Sequence, residues 1–215
     1  MERILCLLIG YVCGLFQTSY IYGRLNGIDI REHGSGNAGT TNALRTLGRK
    51  AGLITFAGDC LKCILAVVLA KTLFDETVSG MSRLLGLYAA AGSILGHNFP
   101  FYLKFRGGKG IACTAGLVLS FDPLMAILGI ITFFTTFFTT HFVSLGSILV
   151  YIGFMIEIIV MGQLGVFKME QPLLNEMYIL SALLSMLAFY KHRENMKRLM
   201  NGTERKTYLS KKSDK

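Results

Sequence analysis

Seven apolar blocks divide the chain, at 4–22, 51–74, 84–103, 111–121, 123–139, 143–166 and 173–190. A hydrocarbon core about 30 Å thick takes about 20 residues of helix per crossing. Blocks of this length therefore predict an all-α integral membrane protein of seven transmembrane helices. With 215 residues, such a chain has no room for a separate soluble domain, so residues 1–215 read as one transmembrane domain with a basic tail at 191–215. A composition 52% hydrophobic and only 16% charged excludes a disordered chain. The same low charge argues against a nucleic-acid-binding domain, despite the net charge of +9.

Block 111–121 is the short one. It either borrows the glycines of 107–110 or merges with its neighbour across Asp122-Pro123. The first block follows Met1-Glu2-Arg3 with no small-residue cleavage pattern, so it reads as a retained span.

The cations sort by alternate connections. Arg24, Arg31, Arg45, Arg49 and Lys50 follow the first block, Lys104, Arg106 and Lys109 follow the third, and the tail from Lys191 is rich in both residues. The other connections hold Lys71, Arg83 and Lys168 among Asp75, Glu76, Glu170 and Glu176. By the positive-inside rule this places the N-terminus outside and the C-terminus in the cytoplasm.

Small residues four apart, Gly10/Gly14, Ser19/Gly23 and Gly92/Gly96, predict close helix packing in lipid. The five cysteines form no even framework, and Cys60-x-x-Cys63 lies in an apolar run without a second ligand pair, so no metal is expected. The Phe/Thr run at 133–140 reads as packed or lipid-facing helix.

Polar residues of unusual type collect on the cytoplasmic side in three segments. The first runs Arg31-Glu32-His33-Gly34-Ser35-Gly36-Asn37-Ala38-Gly39-Thr40-Thr41-Asn42 and on to Arg45. Its G-x-G-x-x-G lacks the preceding strand that a dinucleotide fold requires, so what it offers is a glycine-rich turn with backbone N–H groups for an anion. The second runs Gly96-His97-Asn98-Phe99-Pro100 and ends Arg106-Gly107-Gly108-Lys109-Gly110. Two or three glycines let a backbone curl around a phosphate while Lys109 adds charge; a plain turn between spans is the alternative. It is not a nucleotide-binding P-loop, because Gly110 stands where a metal-binding hydroxyl is needed. The third runs Lys191-His192-Arg193-Glu194-Asn195 to Arg198 and Gly202-Thr203-Glu204.

His97 and His192 could each transfer a proton near neutrality or serve as a hydrogen-bonding prop. Asp59 and Lys62, three apart in a span, could neutralise each other or reach Arg45. Met196, Leu199 and Met200 among cations predict an interfacial amphipathic helix on an anionic leaflet.

These three segments resemble, in order, the motifs of the bacterial acyl-phosphate:glycerol-3-phosphate acyltransferases, the PlsY type, over nearly the whole chain. The resemblance implies an enzyme without metal or cofactor. It would transfer an acyl group from acyl phosphate to the sn-1 hydroxyl of glycerol 3-phosphate, giving lysophosphatidic acid and phosphate. That is the first step of bacterial phospholipid synthesis, at the cytoplasmic membrane with the site facing the cytoplasm.

By resemblance, Ser35, Arg45, His192 and Asn195 are the catalytic set. Asn37, His97, Asn98, Lys104, Arg106, Gly107, Gly108, Lys109, Gly110 and Ser144 would bind substrate, and Glu194 would have structural weight. Ala38, Cys63 and His141 depart from the usual residues of that family, His141 replacing an arginine. A small-anion transporter remains the alternative, although such a protein would pair broken helices near the midplane. The partners implied are the two substrates and the bilayer, not nucleic acid.

Overall fold

Glycine decides how the first helix meets the bundle. Helix α1 (Glu2–Gly14) crosses α5 (Met81–Asn98) so closely that a Cβ on Gly10 or Gly14 would run into the carbonyls of Ala89 and Ser93. A Cβ on Gly92 or Gly96 would likewise meet those of Leu7 and Tyr11. Lipid offers little hydrophobic drive for association, so helices gain by backbone approach, as the small-residue spacing predicts. Ser19/Gly23 is different: Gly23 packs against Ile28 and Ile30 of its own following turn.

The computed structural model describes residues 1–74 and 80–208; Asp75, Glu76 and the final lysines lie outside that range. Within it the remaining helices are α2 (Thr18–Leu25), α3 (Thr40–Leu47), α4 (Arg49–Leu73), α6 (Ile111–Phe121), α7 (Pro123–Thr140), α8 (Val143–Gln163) and α9 (Gln171–Met200). Every regular element among the described residues is helical. Among the described residues five helical stretches are long and apolar enough to cross a membrane: Glu2–Leu25, Arg49–Leu73, Pro123–Thr140, Val143–Gln163 and Gln171–Met200.

Three expectations change. The first apolar block is two helices, because fully buried Gln17 interrupts it and donates from Nε2 to the carbonyls of Gly14, Gly96 and His97 at 3.1–3.3 Å. That amide supplies a donor to the carbonyls at two helix ends, Gly14 on one and Gly96 and His97 on the other, where the regular helical bonding stops. Block 111–121 neither borrows the glycine loop nor merges with its neighbour. Asp122 caps α7 through the Leu124 N–H at 2.9 Å, with Pro123 at the first helical position. Among the described residues, finally, the tail carries no separate interfacial helix: the last span continues unbroken to Met200.

Leu84, Leu87, Ile94, Leu117, Phe154, Ile158 and Met177 form the centre of the bundle. Where α1 and α9 begin, Arg3 and the Tyr88 hydroxyl both bond the Glu176 carboxylate. Thr136, Thr139 and Thr140 return their hydroxyls to carbonyls four residues back, which satisfies those polar groups within the helix. All five cysteines are free thiols. The three polar segments share one end of the bundle, where α1, α5, α7 and α9 finish and α4, α6 and α8 start.

Candidate active site

The first segment is folded by one carboxamide. Asn42, nearly fully buried, donates from Nδ2 to the carbonyls of Ile30 and His33 and accepts the Ser35 N–H on Oδ1, all within 3.0 Å. Gly34 and Gly36 sit at φ +62 and +69, and a side chain on Gly34 would strike the Asn42 amide. The turn thereby presents Ser35 and Asn37 to a cavity of about 520 Å³.

That cavity is where the three segments meet. Ser35, Asn37 and Arg45 line it from the first, Lys109 and Gly110 from the second, and Lys191, His192, Asn195, Arg198 and Glu204 from the third, with Ser144 at the start of α8. Asp59 and His97 reach it from beneath.

A chain of hydrogen bonds ties the wall together. Lys109 donates to Asn195 Oδ1, and Asn195 Nδ2 donates to Glu204 Oε1 at 2.7 Å. Ser144 Oγ donates to the same oxygen at 2.8 Å, while Arg198 Nε donates to Oε2 at 2.8 Å. Burial alone would raise the Glu204 carboxyl. The bonds from Asn195, Arg198 and Ser144 outweigh it and hold the group below the usual carboxylate value. Burial pushes the Lys109 ammonium down to about 8, against the pull of Glu204 and with help from nearby Arg198, Lys191 and Arg45.

The two histidines differ. His192 Nδ1 lies 2.8 Å from the Ala188 carbonyl, which can only accept, so that nitrogen carries the hydrogen. Nε2 of the neutral ring is left with its lone pair for a ligand. His97 Nδ1 instead accepts from the Lys62 ammonium at 2.9 Å. Its other edge lies against Gly108, where a Cβ would collide with the ring and with the Ala38 carbonyl. Lys62 also donates to Asp59 at 2.8 Å and to the Phe16 carbonyl at 2.7 Å. The pair thus neutralises itself and does not reach Arg45, whose Nη2 donates to the Arg205 carbonyl and the Thr207 hydroxyl.

Several expected ligands stand elsewhere. The N–H groups of Gly107 and Gly108 are bonded to the carbonyls of Asn98 and His97, so they form a turn and not a phosphate cradle. Lys104 and Arg106 are exposed and outside the cavity wall. Asn98 is fully buried against Gly110 and does not line the cavity. Glu194, expected to have structural weight, is exposed at the edge of the cavity beside Arg193 and Lys197, and the carboxylate that ties the wall together is Glu204. Lys191, Arg198 and Glu204 went unassigned as ligands, yet Ala188, Lys191, Asn195 and Arg198 repeat at three and four residues. That period continues one helical face past the apolar block.

Residues 4–202 match the glycerol-3-phosphate acyltransferase family model. The chain belongs to this family. The glycerol-3-phosphate acyltransferase of Alkaliphilus metalliredigens (strain QYMF) is 42% identical over 207 residues, covering 96% of each chain. That of Bacillus subtilis (strain 168) is 41% identical over 203 residues, covering 94% of this chain and 96% of its own. The fold resembles the crystal structure of PlsY (YgiH), an integral membrane glycerol 3-phosphate acyltransferase, in its glycerol 3-phosphate form. The TM-score is 0.80, with 27% identity, 97% of this chain covered and 96% of that one. A lysophosphatidic acid form matches with a TM-score of 0.78. Its apolar helices and its likeness to that integral membrane structure make the chain a multi-pass membrane protein, and the transporter alternative finds no support among these relatives.

Proposed function

We propose that this protein transfers an acyl group from acyl phosphate to the sn-1 hydroxyl of glycerol 3-phosphate, releasing lysophosphatidic acid and inorganic phosphate. The observation that carries this reading is the convergence of three distant segments on one cation-lined cavity containing Arg45, Lys109 and His192. The family's name supplies the acceptor and the reaction class.

Two anions must be held close together. Arg45 and the Ser35 turn take the acyl phosphate, while Lys109, oriented by Asn195, takes the phosphate of glycerol 3-phosphate. His192 Nε2 accepts the proton of the attacking hydroxyl. The hydroxyl oxygen bonds to the acyl carbon, the carbon–oxygen bond to phosphate breaks, and the proton ends on the released phosphate. Phosphate leaves readily, so the protein's contribution is orientation and charge stabilisation. Ser35 acts as a hydrogen-bond donor. Among the described residues no imidazole or carboxylate is bonded to its hydroxyl, so nothing activates it as a nucleophile.

α5 and α6 complete seven spans beside the five more apolar stretches. The N-terminus is outside, and the cavity faces the cytoplasm of a bacterial cell, in one domain over residues 1–215. The sorting of Arg and Lys supports this orientation. Purified protein given palmitoyl phosphate and labelled glycerol 3-phosphate is expected to form labelled lysophosphatidic acid, with Arg45→Ala and Lys109→Ala variants strongly impaired. Absence of product from folded protein would overturn the reading.

A further inference from the structure

After Met200 the chain turns back across the site. Thr203 N–H bonds the Arg198 carbonyl at 2.8 Å, Glu204 takes its three donors from the wall, and the next four residues run without regular structure, Arg205 lining the cavity. The match to the family model ends at residue 202, so it says nothing about this segment.

Its far end is fixed at two points. Thr207 is nearly fully buried, its N–H bonds the His141 carbonyl at 2.9 Å, and its hydroxyl accepts from Arg45 Nη2. Tyr208 lays its ring 4.6 Å from that of His141, which ends α7 at φ +62. The Arg205 carbonyl accepts from the same Nη2 at 2.8 Å.

All of these bonds use one nitrogen of the guanidinium. A guanidinium carries five N–H donors, two of them on Nη2, so three on Nε and Nη1 remain for a ligand. A long arginine side chain loses substantial rotamer freedom when it is held in one place. Holding it beforehand removes that cost from ligand binding.

We propose that Thr207 is a positioning residue: the returning segment, anchored on His141, sets the Arg45 guanidinium for the anion that Arg45 binds. The inference rests on Arg45 holding the acyl phosphate, and the experiment below separates the two ideas. Neither Arg205 nor Lys206 provides the same control through its side chain, because both meet Arg45 through backbone carbonyls.

The test is a cycle of Thr207→Val and Arg45→Lys in the full-length enzyme, with kcat and KM measured for each substrate. Valine keeps the shape and removes the hydroxyl. Thr207→Val is expected to raise the KM for palmitoyl phosphate about tenfold, the scale of one lost bond to a charged group. Thr207→Ser should restore it, and in the Arg45→Lys background the valine should add little. A coupled rise in the glycerol 3-phosphate KM instead would support the positioning role and reassign the anion that Arg45 binds. An unchanged KM for both substrates, or the same factor in both backgrounds, would overturn the proposal. Should the valine variant not accumulate, Thr207→Ala is read in the same cycle with the same criteria.

Discussion

Lys109 donates to the carboxamide of Asn195 across 86 residues of sequence. The relationship matters because Asn195 is itself held by Glu204, so the cation that the glycine loop carries is oriented by a relay from the last helix. Asn195→Leu is therefore expected to raise the glycerol 3-phosphate KM by about tenfold or more, about 1.4 kcal/mol, with a smaller change for the acyl donor. Steady-state kinetics with each substrate varied in turn checks it. An equal change for both substrates would place Asn195 outside acceptor binding.

Glu204 collects donors from Ser144, Asn195 and Arg198. Glu204→Gln turns one acceptor oxygen into a donor facing another donor and removes the charge. The expected loss is about 1–3 kcal/mol of stability, read as a lower unfolding temperature in detergent. Arg198 gains nothing from the amide, so Glu204→Asp should recover more than Glu204→Gln.

The lowered Lys109 value gives a pH dependence with a definite sign. The ammonium is present below about 8 and is lost as pH rises through it. Acceptor kcat/KM should fall across that window as the free enzyme deprotonates. Lys109→Arg should remove that limb of the profile while leaving some activity. A flat profile from pH 7 to 9 in the wild-type enzyme, on the order of one unit either side of this value, would contradict a Lys109 ammonium that burial lowers into this window.

Much of the arrangement was legible from residues alone. Gly10, Gly14, Gly92 and Gly96 announced a close crossing, and the clustering of polar residues at one end of the spans located the cavity. What was not legible depends on pairings between distant segments. A glycine-rich loop looks like a phosphate cradle until its N–H groups are traced, and those of Gly107 and Gly108 are spent on Asn98 and His97. Lys104 and Arg106 share the charge of Lys109 but not its burial. The importance of Glu204 depends on where the chain goes after Met200: Asn201-Gly202 signals the turn, but its return onto Ser144 and Asn195 is a tertiary pairing that no local pattern specifies.

Gly108 packs against the His97 ring, so Gly108→Ala should act by displacement of the loop that carries Lys109. We expect at least about a tenfold loss of kcat/KM for glycerol 3-phosphate. Combining it with His97→Ala should cost less than the product of the two single losses, because the collision is relieved. Multiplicative effects would mean that the two residues act separately.

Donor exchange tests the central claim most directly. With labelled glycerol 3-phosphate held constant, palmitoyl phosphate and palmitoyl-CoA are supplied in turn to the purified protein. A cavity built to hold two phosphate groups beside Arg45 and Lys109 predicts labelled lysophosphatidic acid from the acyl phosphate and none from the thioester. Equal turnover with both donors would contradict the assignment of Arg45 to a phosphate leaving group.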